Sequence, residues 1–389
     1  MRESAPKSKK TPVRTKLPGW KKLVFSLIVL VLAITLGYNL SVMYRSYKLY
    51  RYIKSNPPGW RTPPHKPDAQ LGWTPVPGIK SAQIMPIGAD VPACFDADGF
   101  RVPLNQNRAD RTRPLVLALG CSCTYGAACR AQDTYPYKVA KALHGSELNA
   151  GVCSYGLAQM AQLANKYIPK YSPDYVLVQY SPWLIKRAMT HFAPSYYSYN
   201  PNPFFADTDT GGVAIEPPVF LPYVADLNPW RETPAGVADF LDFFFLTGLS
   251  LYIHEDTHIL GYSFGLLCNT IKSPTDRADE VVKSVFSNIH AMCRAQNARL
   301  LVVVLGDTTE DVQIPNALHD LGITVVDAQA ALVDVLPERT MQEYHKAYGH
   351  FRGVPPQLVD GHPNPLAHHL IAMAILHTIR EAFPGDDAN

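Results

Sequence analysis

The sequence predicts an α/β protein: a parallel sheet of about five strands, covered by helices on both faces, behind a membrane-spanning N-terminal helix. Three observations carry that expectation. From Pro114 onward, apolar runs of strand length alternate with segments of helical period, the pattern of strands joined by crossover helices. Residues Leu23 to Met43 form an uncharged apolar run. Between about 189 and 273 the alternation stops and resumes, as an insertion into a continuous scaffold would make it do.

Composition sets the outer limits. The 389 residues carry 36 Lys and Arg against 33 Asp and Glu, a net charge of +3, which argues against a dedicated nucleic-acid binder. A hydrophobic share of 47% with 18% charged residues excludes a disordered chain and permits a full core. The charge is unevenly spread. Residues 1–54 hold twelve basic side chains and one acid, Glu3, so the body of the chain is net acidic.

The elements follow in order. Residues 1–22 are a basic tail and 23–43 a transmembrane helix, long enough at about 1.5 Å per residue to cross a bilayer core of roughly 30 Å. A cleaved signal peptide is the alternative reading. The run is longer than the usual apolar region of about 7 to 15 residues, and no small-residue cleavage site follows it. Basic residues are denser before the helix than after it, which predicts a cytoplasmic tail and a translocated body. Residues 44–113 are a polar, Pro-rich stalk followed by an extended arm packed on the main domain, and 114–389 are that domain.

Within the domain, strands are expected at Leu115–Leu119, Glu147–Ala150, Tyr175–Tyr180, Leu300–Leu305 and Thr324–Val326. Helices are expected at Tyr135–Leu143, Leu157–Ile168, Ala278–Ala295 and Pro365–Ala382. The insertion at about 189–273 turns from Pro- and Tyr-rich to apolar. Its uncharged stretch is too short to span a bilayer, so it reads as a lid.

Chemistry is expected beyond the carboxyl ends of parallel strands. The first strand runs into Gly120-Cys121-Ser122-Cys123-Thr124-Tyr125-Gly126, where a Ser in a tight strand-to-helix turn projects its hydroxyl beside backbone N–H groups. Taken alone, it is also an ordinary Gly-bounded turn. Near the other end stands Asp360-Gly361-His362-Pro363-Asn364, a loop before an apolar helix, which offers a base and a carboxylate to orient it. Without the Ser peptide, Asp360 and Asn364 would read as helix caps.

Ser122 within GCSCTYG, the segments DTYPYKVAKAL and NAGVCSYGLAQM, the strand PDYVLVQYS and the stretch DGHPNPLAHHLIAMAI occur in the order found in the SGNH (GDSL-type) hydrolases. The chain resembles that superfamily over about 114–180 and 299–380, and its anchor and arm resemble those of membrane-bound bacterial members. The resemblance implies a three-layer α/β/α flavodoxin-like fold and acyl-ester chemistry, with no cofactor. Ser122 matches the nucleophile, His362 the general base and Asp360 its orienting carboxylate, while the N–H groups of Ser122 and Gly156 match the oxyanion hole. It implies an esterase or acyltransferase acting on acylated glycans or lipids of the cell envelope, held in a bacterial inner membrane with its catalytic domain in the periplasm. The alternative is a non-catalytic envelope binding or assembly protein on the same fold.

Three positions depart from the family pattern. Cys121 stands where an Asp precedes the Ser, Asp360 is two residues before His362 rather than three, and Gln179-Tyr180-Ser181-Pro182-Trp183 lacks the Asn of the oxyanion hole. Gln179, Ser181 and Arg187 are candidates to replace that donor. A rival motif, His254-Glu255-Asp256-Thr257-His258, fits the two-His zinc pattern of metallopeptidases, with Phe264 where a third ligand would stand. His368 and His369 are expected on a helix surface or as caps. Seven Cys leave at least one unpaired, and Cys121-x-Cys123 reads as buried thiols or a disulfide partner rather than half a metal site.

Overall fold

The computed structural model describes residues 18–55, 65–84, 90–104, 106, 111–189, 192–194, 199–208, 212–218 and 274–384. Helix α1, Gly19–Ser55, comes first. A hairpin of β1 (His65–Asp68) and β2 (Gly72–Pro75) follows, then β3 (Lys80–Ile84), β4 (Asp90–Phe95) and β5 (Arg101–Val102). The main domain runs β6 (Leu115–Leu119), α2 (Ser122–Tyr125), α3 (Tyr135–Ala142), β7 (Ser146–Asn149), α4 (Leu157–Tyr171), β8 (Tyr175–Tyr180) and α5 (Pro182–Ala188). Two small hairpins follow, β9 (Phe192–Pro194) with β10 (Tyr199–Pro201), and β11 (Phe204–Asp207) with β12 (Val213–Glu216). The chain then continues through α6 (Pro274–Ala295), β13 (Arg299–Val304), α7 (Asn316–Asp320), β14 (Thr324–Asp327), α8 (Ala328–Val333), α9 (Met341–Tyr348), the hairpin β15 (His350–Arg352) and β16 (Gln357–Asp360), and α10 (Pro365–Ala382).

The strand order β14-β13-β8-β6-β7-β5-β4-β3 is an eight-stranded sheet whose first five members are parallel. Those are the five strands the sequence predicts; β6, β8 and β13 are buried almost throughout, as in Leu117 and Val302, while the edge strand β14 is only partly covered. The order reverses at β6: the chain steps to β7, then returns past β6 to β8. With right-handed crossovers, that reversal sends α3 and α4 to opposite faces. Accordingly α4 packs with α5 and α6, while α3 packs with α10 and α10 with α8. The carboxyl end of β6 therefore lies at a topological switch point, where a crevice opens between diverging connections.

The arm does more than pack on the domain: while Leu71, Trp73 and Phe100 enter its core, β3, β4 and β5 extend its sheet by three antiparallel strands, with Arg101 paired to Asn149 on β7. A four-residue edge strand would otherwise present unpaired backbone groups to solvent, and the arm covers them. Helix α1 runs continuously through the expected 23–43 segment, with Leu23, Phe25, Leu27 and Leu32 exposed. Its side chains are described without a break only from Gly19 to Ile34, and among the described residues no helix is long and apolar enough to cross a membrane. Only the first part of the insertion is described; its apolar segment, together with His254, Glu255 and His258, lies outside the described residues.

One histidine corrects the sequence reading. His368 is fully buried rather than on the α10 surface, because α10 is sandwiched between α3 and α8. Its Nδ1 accepts the Tyr135 N–H at 3.2 Å, and burial pulls its pKa down to about 3. A neutral ring is therefore part of the folded state. The unfolded chain binds this proton below its ordinary value of about 6.5, so the unfolded state holds more protons and stability falls with falling pH. Denaturation midpoints should decline from about pH 6.5 toward pH 3, with His368 contributing a slope of about 1.4 kcal/mol per pH unit. In His368→Asn, which keeps an acceptor for the Tyr135 N–H, that component should vanish; an unchanged pH slope would refute the assignment.

Candidate active site

The site begins at a turn that only small and polar residues can make. β6 ends at Leu119, Gly120 follows, and Ser122 opens the one-turn helix α2. A Cβ on Gly120 would lie 1.8 Å from Thr124 Oγ1 and 2.9 Å from Gln179 Cβ, so β6 and β8 converge too closely here for any side chain. At the other end of α2, Gly126 closes the turn in the left-handed region with φ 78°. Arg101 from the arm reaches beneath it, donating to the carbonyls of Tyr125, Gly126 and Cys129 with its guanidinium 4.0 Å from the Tyr125 ring centroid. A buried cation thus meets carbonyls left open at the end of a short helix.

Across the crevice, the hairpin β15–β16 ends at Asp360, and α10 begins after Asn364. One Asp360 oxygen, Oδ1, accepts both the His362 backbone N–H and its Nδ1–H, each at 2.7 Å. That double acceptance makes the two-residue spacing workable, since backbone and ring converge on one oxygen. A carboxylate acceptor at Nδ1 leaves Nε2 as the imidazole's lone-pair nitrogen, and the Ser122 hydroxyl donates to it at 2.9 Å. Asn364 is the helix cap: its Oδ1 accepts from Leu366 and Ala367 N–H at 3.0 Å, while its Nδ2 donates to the Ala347 and Gly349 carbonyls. The capping role thus falls to Asn364, and Asp360 Oδ1 holds the histidine. Ser122 is 9% exposed and the His362 side chain 22%, while the Asp360 side chain is almost wholly enclosed. Access narrows from base to carboxylate.

The thiols around this turn divide: Cys121 is buried, which opposes ionisation, yet hydrogen bonding with Cys123 and the Arg187 charge draw it well below its ordinary range, while the other three are held neutral. Burial pushes Cys129 and Cys153 up to about 12, and the Cys121 thiol followed by burial raises Cys123. Neutral thiols are poor nucleophiles, so the hydroxyl stands without a competing thiolate from these three. Cys94, Cys121, Cys123, Cys129, Cys153 and Cys293 are all free thiols; Cys268 lies outside the described residues. Among the described residues, no three His, Cys, Asp or Glu side chains group as a metal site.

The oxyanion side differs from the family pattern. The Gly156 N–H donates to Gln159 Oε1 at 2.9 Å, starting α4, and in this arrangement it is not open to a substrate. In the same loop Ser154 adopts φ 68°, is nearly buried, and its N–H has no partner among the described residues. Of the three side chains considered as replacement donors, Gln179 and Ser181 are fully buried and bonded to one another, Nε2 to Oγ at 3.0 Å. Arg187 lies half-buried with Nη1 donating to the Tyr155 carbonyl at 3.2 Å.

Sequence reasoning missed the polar layer under the turn. Gln179 Oε1 accepts from Cys121 N–H at 3.1 Å and from Thr124 Oγ1 at 2.9 Å. Thr124 Oγ1 also lies 2.7 Å from Tyr135 Oη, and Asn149 Nδ2 donates to the Thr124 carbonyl at 3.0 Å. The available signal was a polar residue inside the apolar strand YVLVQY, since buried amides demand partners.

No protein-family model matches the sequence, and no curated protein matches it. Several solved structures are similar. A protein described as lipolytic and of the G-D-S-L family, from Desulfitobacterium hafniense DCB-2, is 10% identical over 68% of this chain and 99% of its own, with a TM-score of 0.33. A catalytic mutant of Axe2, an acetylxylan esterase from Geobacillus stearothermophilus, is 13% identical over 69% of this chain and 94% of its own, with a TM-score of 0.36. LAE5, an alpha/beta hydrolase enzyme from the metagenome of Lake Arreo, is 12% identical over 69% and 96%, also at 0.36. These neighbours are hydrolases or lipolytic proteins. The chemistry of this chain is argued below from its own side chains.

The close approach at Gly120 has a measurable consequence. Gly120→Ala should lower unfolding free energy by about 1 to 3 kcal/mol, the range for overpacking a filled interior. Denaturant titration checks this, and a midpoint equal to that of the wild type would refute the packing described.

Proposed function

We propose that this protein is an SGNH-like serine esterase or acyltransferase. The observation that carries the reading is the continuous contact Ser122 Oγ to His362 Nε2 to Asp360, at 2.9 and 2.7 Å. In the reaction, His362 Nε2 takes the hydroxyl proton as Ser122 Oγ bonds to an ester carbonyl carbon, and negative charge moves to the carbonyl oxygen. Asp360 holds the ring by its Nδ1–H and offsets the positive charge the imidazole acquires. The tetrahedral intermediate collapses with His362 returning the proton to the departing alcohol. Water, or another hydroxyl, then releases the acyl group from Ser122 by the same steps in reverse. Oxyanion donors in this reading are the N–H of Ser122 and, from the loop before α4, that of Ser154; Gly156 could serve only by leaving Gln159.

The substrates we propose are O-acyl groups on cell-envelope glycans or lipids. The uncharged 23–43 run within a continuous helix, the flanking basic residues and the exposed apolar side chains of α1 support an anchor in a bacterial inner membrane, with the catalytic domain in the periplasm.

A fluorophosphonate probe tests the chemistry. Wild-type protein should label, Ser122→Ala should not, and His362→Ala should label at least 100-fold more slowly. Asp360→Asn should reduce kcat on a small acetyl ester by about 10²- to 10⁴-fold, as loss of the orienting carboxylate does in triads of this kind. Folded wild-type protein that neither labels nor cleaves such esters would move the assignment to a non-catalytic envelope binding protein. For the anchor, alkaline carbonate should leave the full chain in the membrane pellet and release a chain beginning at residue 44. Release of the full chain would refute a spanning helix.

A further inference from the structure

Among the described residues, Gln179 is the one side chain whose hydrogen bonds reach both the residue before Ser122 and the residue two beyond it. Its Oε1 accepts from the Cys121 N–H at 3.1 Å, the Cys121 thiol at 3.3 Å and the Thr124 hydroxyl at 2.9 Å, and its Nε2 donates to Ser181 Oγ at 3.0 Å. Gln179, Ser181 and Thr124 are fully buried, so no solvent can replace a lost partner. The backbone there has no slack either, because Gly120 lies against both Thr124 and Gln179.

From this arrangement we infer that Gln179 is the positioning residue of the nucleophile, its amide oxygen on β8 holding the Cys121–Thr124 turn so that Ser122 Oγ meets His362 Nε2. The same amide continues through Thr124 Oγ1 to Tyr135 Oη at 2.7 Å, and the Tyr135 N–H donates to His368 Nδ1 on α10. α10 begins just beyond His362. A buried path of hydrogen bonds therefore joins the support of the hydroxyl to that of the imidazole. Gln179 does not itself touch the reacting atoms, and its amide is committed on both sides, so it is not the missing oxyanion donor. This inference rests on the hydrolase reading for its kinetic consequences but not for its geometric ones.

Two variants separate positioning from mere stability. Gln179→Leu removes every acceptor while keeping bulk. Gln179→Glu keeps the shape, and as the neutral acid it can still accept at one oxygen and donate to Ser181; once ionised it cannot donate. The titratable groups nearest this turn are the Cys121 and Cys123 thiols, the Tyr135 phenol of α3 and the Arg187 guanidinium of α5. Burial favours the neutral carboxyl. The Gln179→Glu enzyme should therefore gain a falling limb at alkaline pH that the wild type lacks.

The test uses full-length protein labelled with nitrogen-15 in histidine. Wild-type and Ser122→Ala spectra should differ at His362 Nε2, because that nitrogen loses its donor. Gln179→Leu should move the signal toward the Ser122→Ala position and slow fluorophosphonate labelling about 10- to 100-fold. The KM for a small acetyl ester should stay within twofold of the wild-type value. If Gln179→Leu does not fold, Thr124→Val, which removes one donor to the same oxygen, should shift the signal in the same direction. A wild-type His362 signal in the folded Gln179 or Thr124 variants would overturn the inference, as would a Gln179→Glu pH profile parallel to that of the wild type. An identical signal in wild type and Ser122→Ala would overturn it as well. Should wild-type protein fail to label at all, the hydrolase reading falls while the His362 signal still decides the positioning.

Discussion

A hydroxyl and an imidazole contributed by residues 240 positions apart meet at 2.9 Å, and most of the structure can be understood as what holds them there. Neither side chain is rigid on its own. Ser122 gains its direction from a turn compressed between β6 and β8, and His362 gains its direction from a single Asp360 oxygen that takes both its backbone and its ring N–H. Hydrogen bonds to a carboxylate are among the stronger ones available to a side chain, and enclosing that carboxylate removes the water that would compete for it. The two supports come from distant parts of the sequence, and the sheet together with the packing of α3 on α10 sets their separation.

The sheet does this through its order. Because the chain steps from β6 to β7 and then back past β6 to β8, the connections diverge to opposite faces and leave the end of β6 uncovered. The close passage of Gly120 against Gln179 belongs to the same arrangement: two neighbouring parallel strands end together, and the space between them admits no Cβ. The arm adds a third constraint from the far edge. Its strand β5 pairs with β7 and delivers the Arg101 guanidinium to three carbonyls at and just past the end of α2. An edge-covering strand and a helix-capping cation are thereby one piece of chain.

The departures from the family pattern are coupled rather than scattered. With Cys121 beside the nucleophile, an amide from the adjacent strand takes over the bracing. That duty commits Gln179, which cannot then face a substrate oxygen. Its Nε2 bond to Ser181 withdraws that hydroxyl as well. In the proposed reaction the oxyanion is left to backbone N–H groups, and that of the left-handed Ser154 has no partner among the described residues.

The alternation of apolar runs and helical periods after Pro114 was enough to place five parallel strands, because strands buried on both faces, such as β6 and β13, read as nearly continuous apolar runs. Ser122, His362 and Asp360, which the structure brings into contact, could be picked out as candidates as well, since a Ser turn after a strand and an Asp-x-His loop are local features written in a few consecutive residues. The three added strands of the arm were not, for their registry depends on an edge elsewhere in the chain that no local periodicity encodes. Nor was the burial of His368, decided by what α10 packs against rather than by its own sequence. Gln179 could be noticed as polar in an apolar strand but not given its partners, and Gly156 looked open until Gln159 was seen to occupy its N–H. Sequence determines which groups a segment carries; which of them remain free for chemistry is a question of partners, and partners arrive from distant parts of the chain only when it folds.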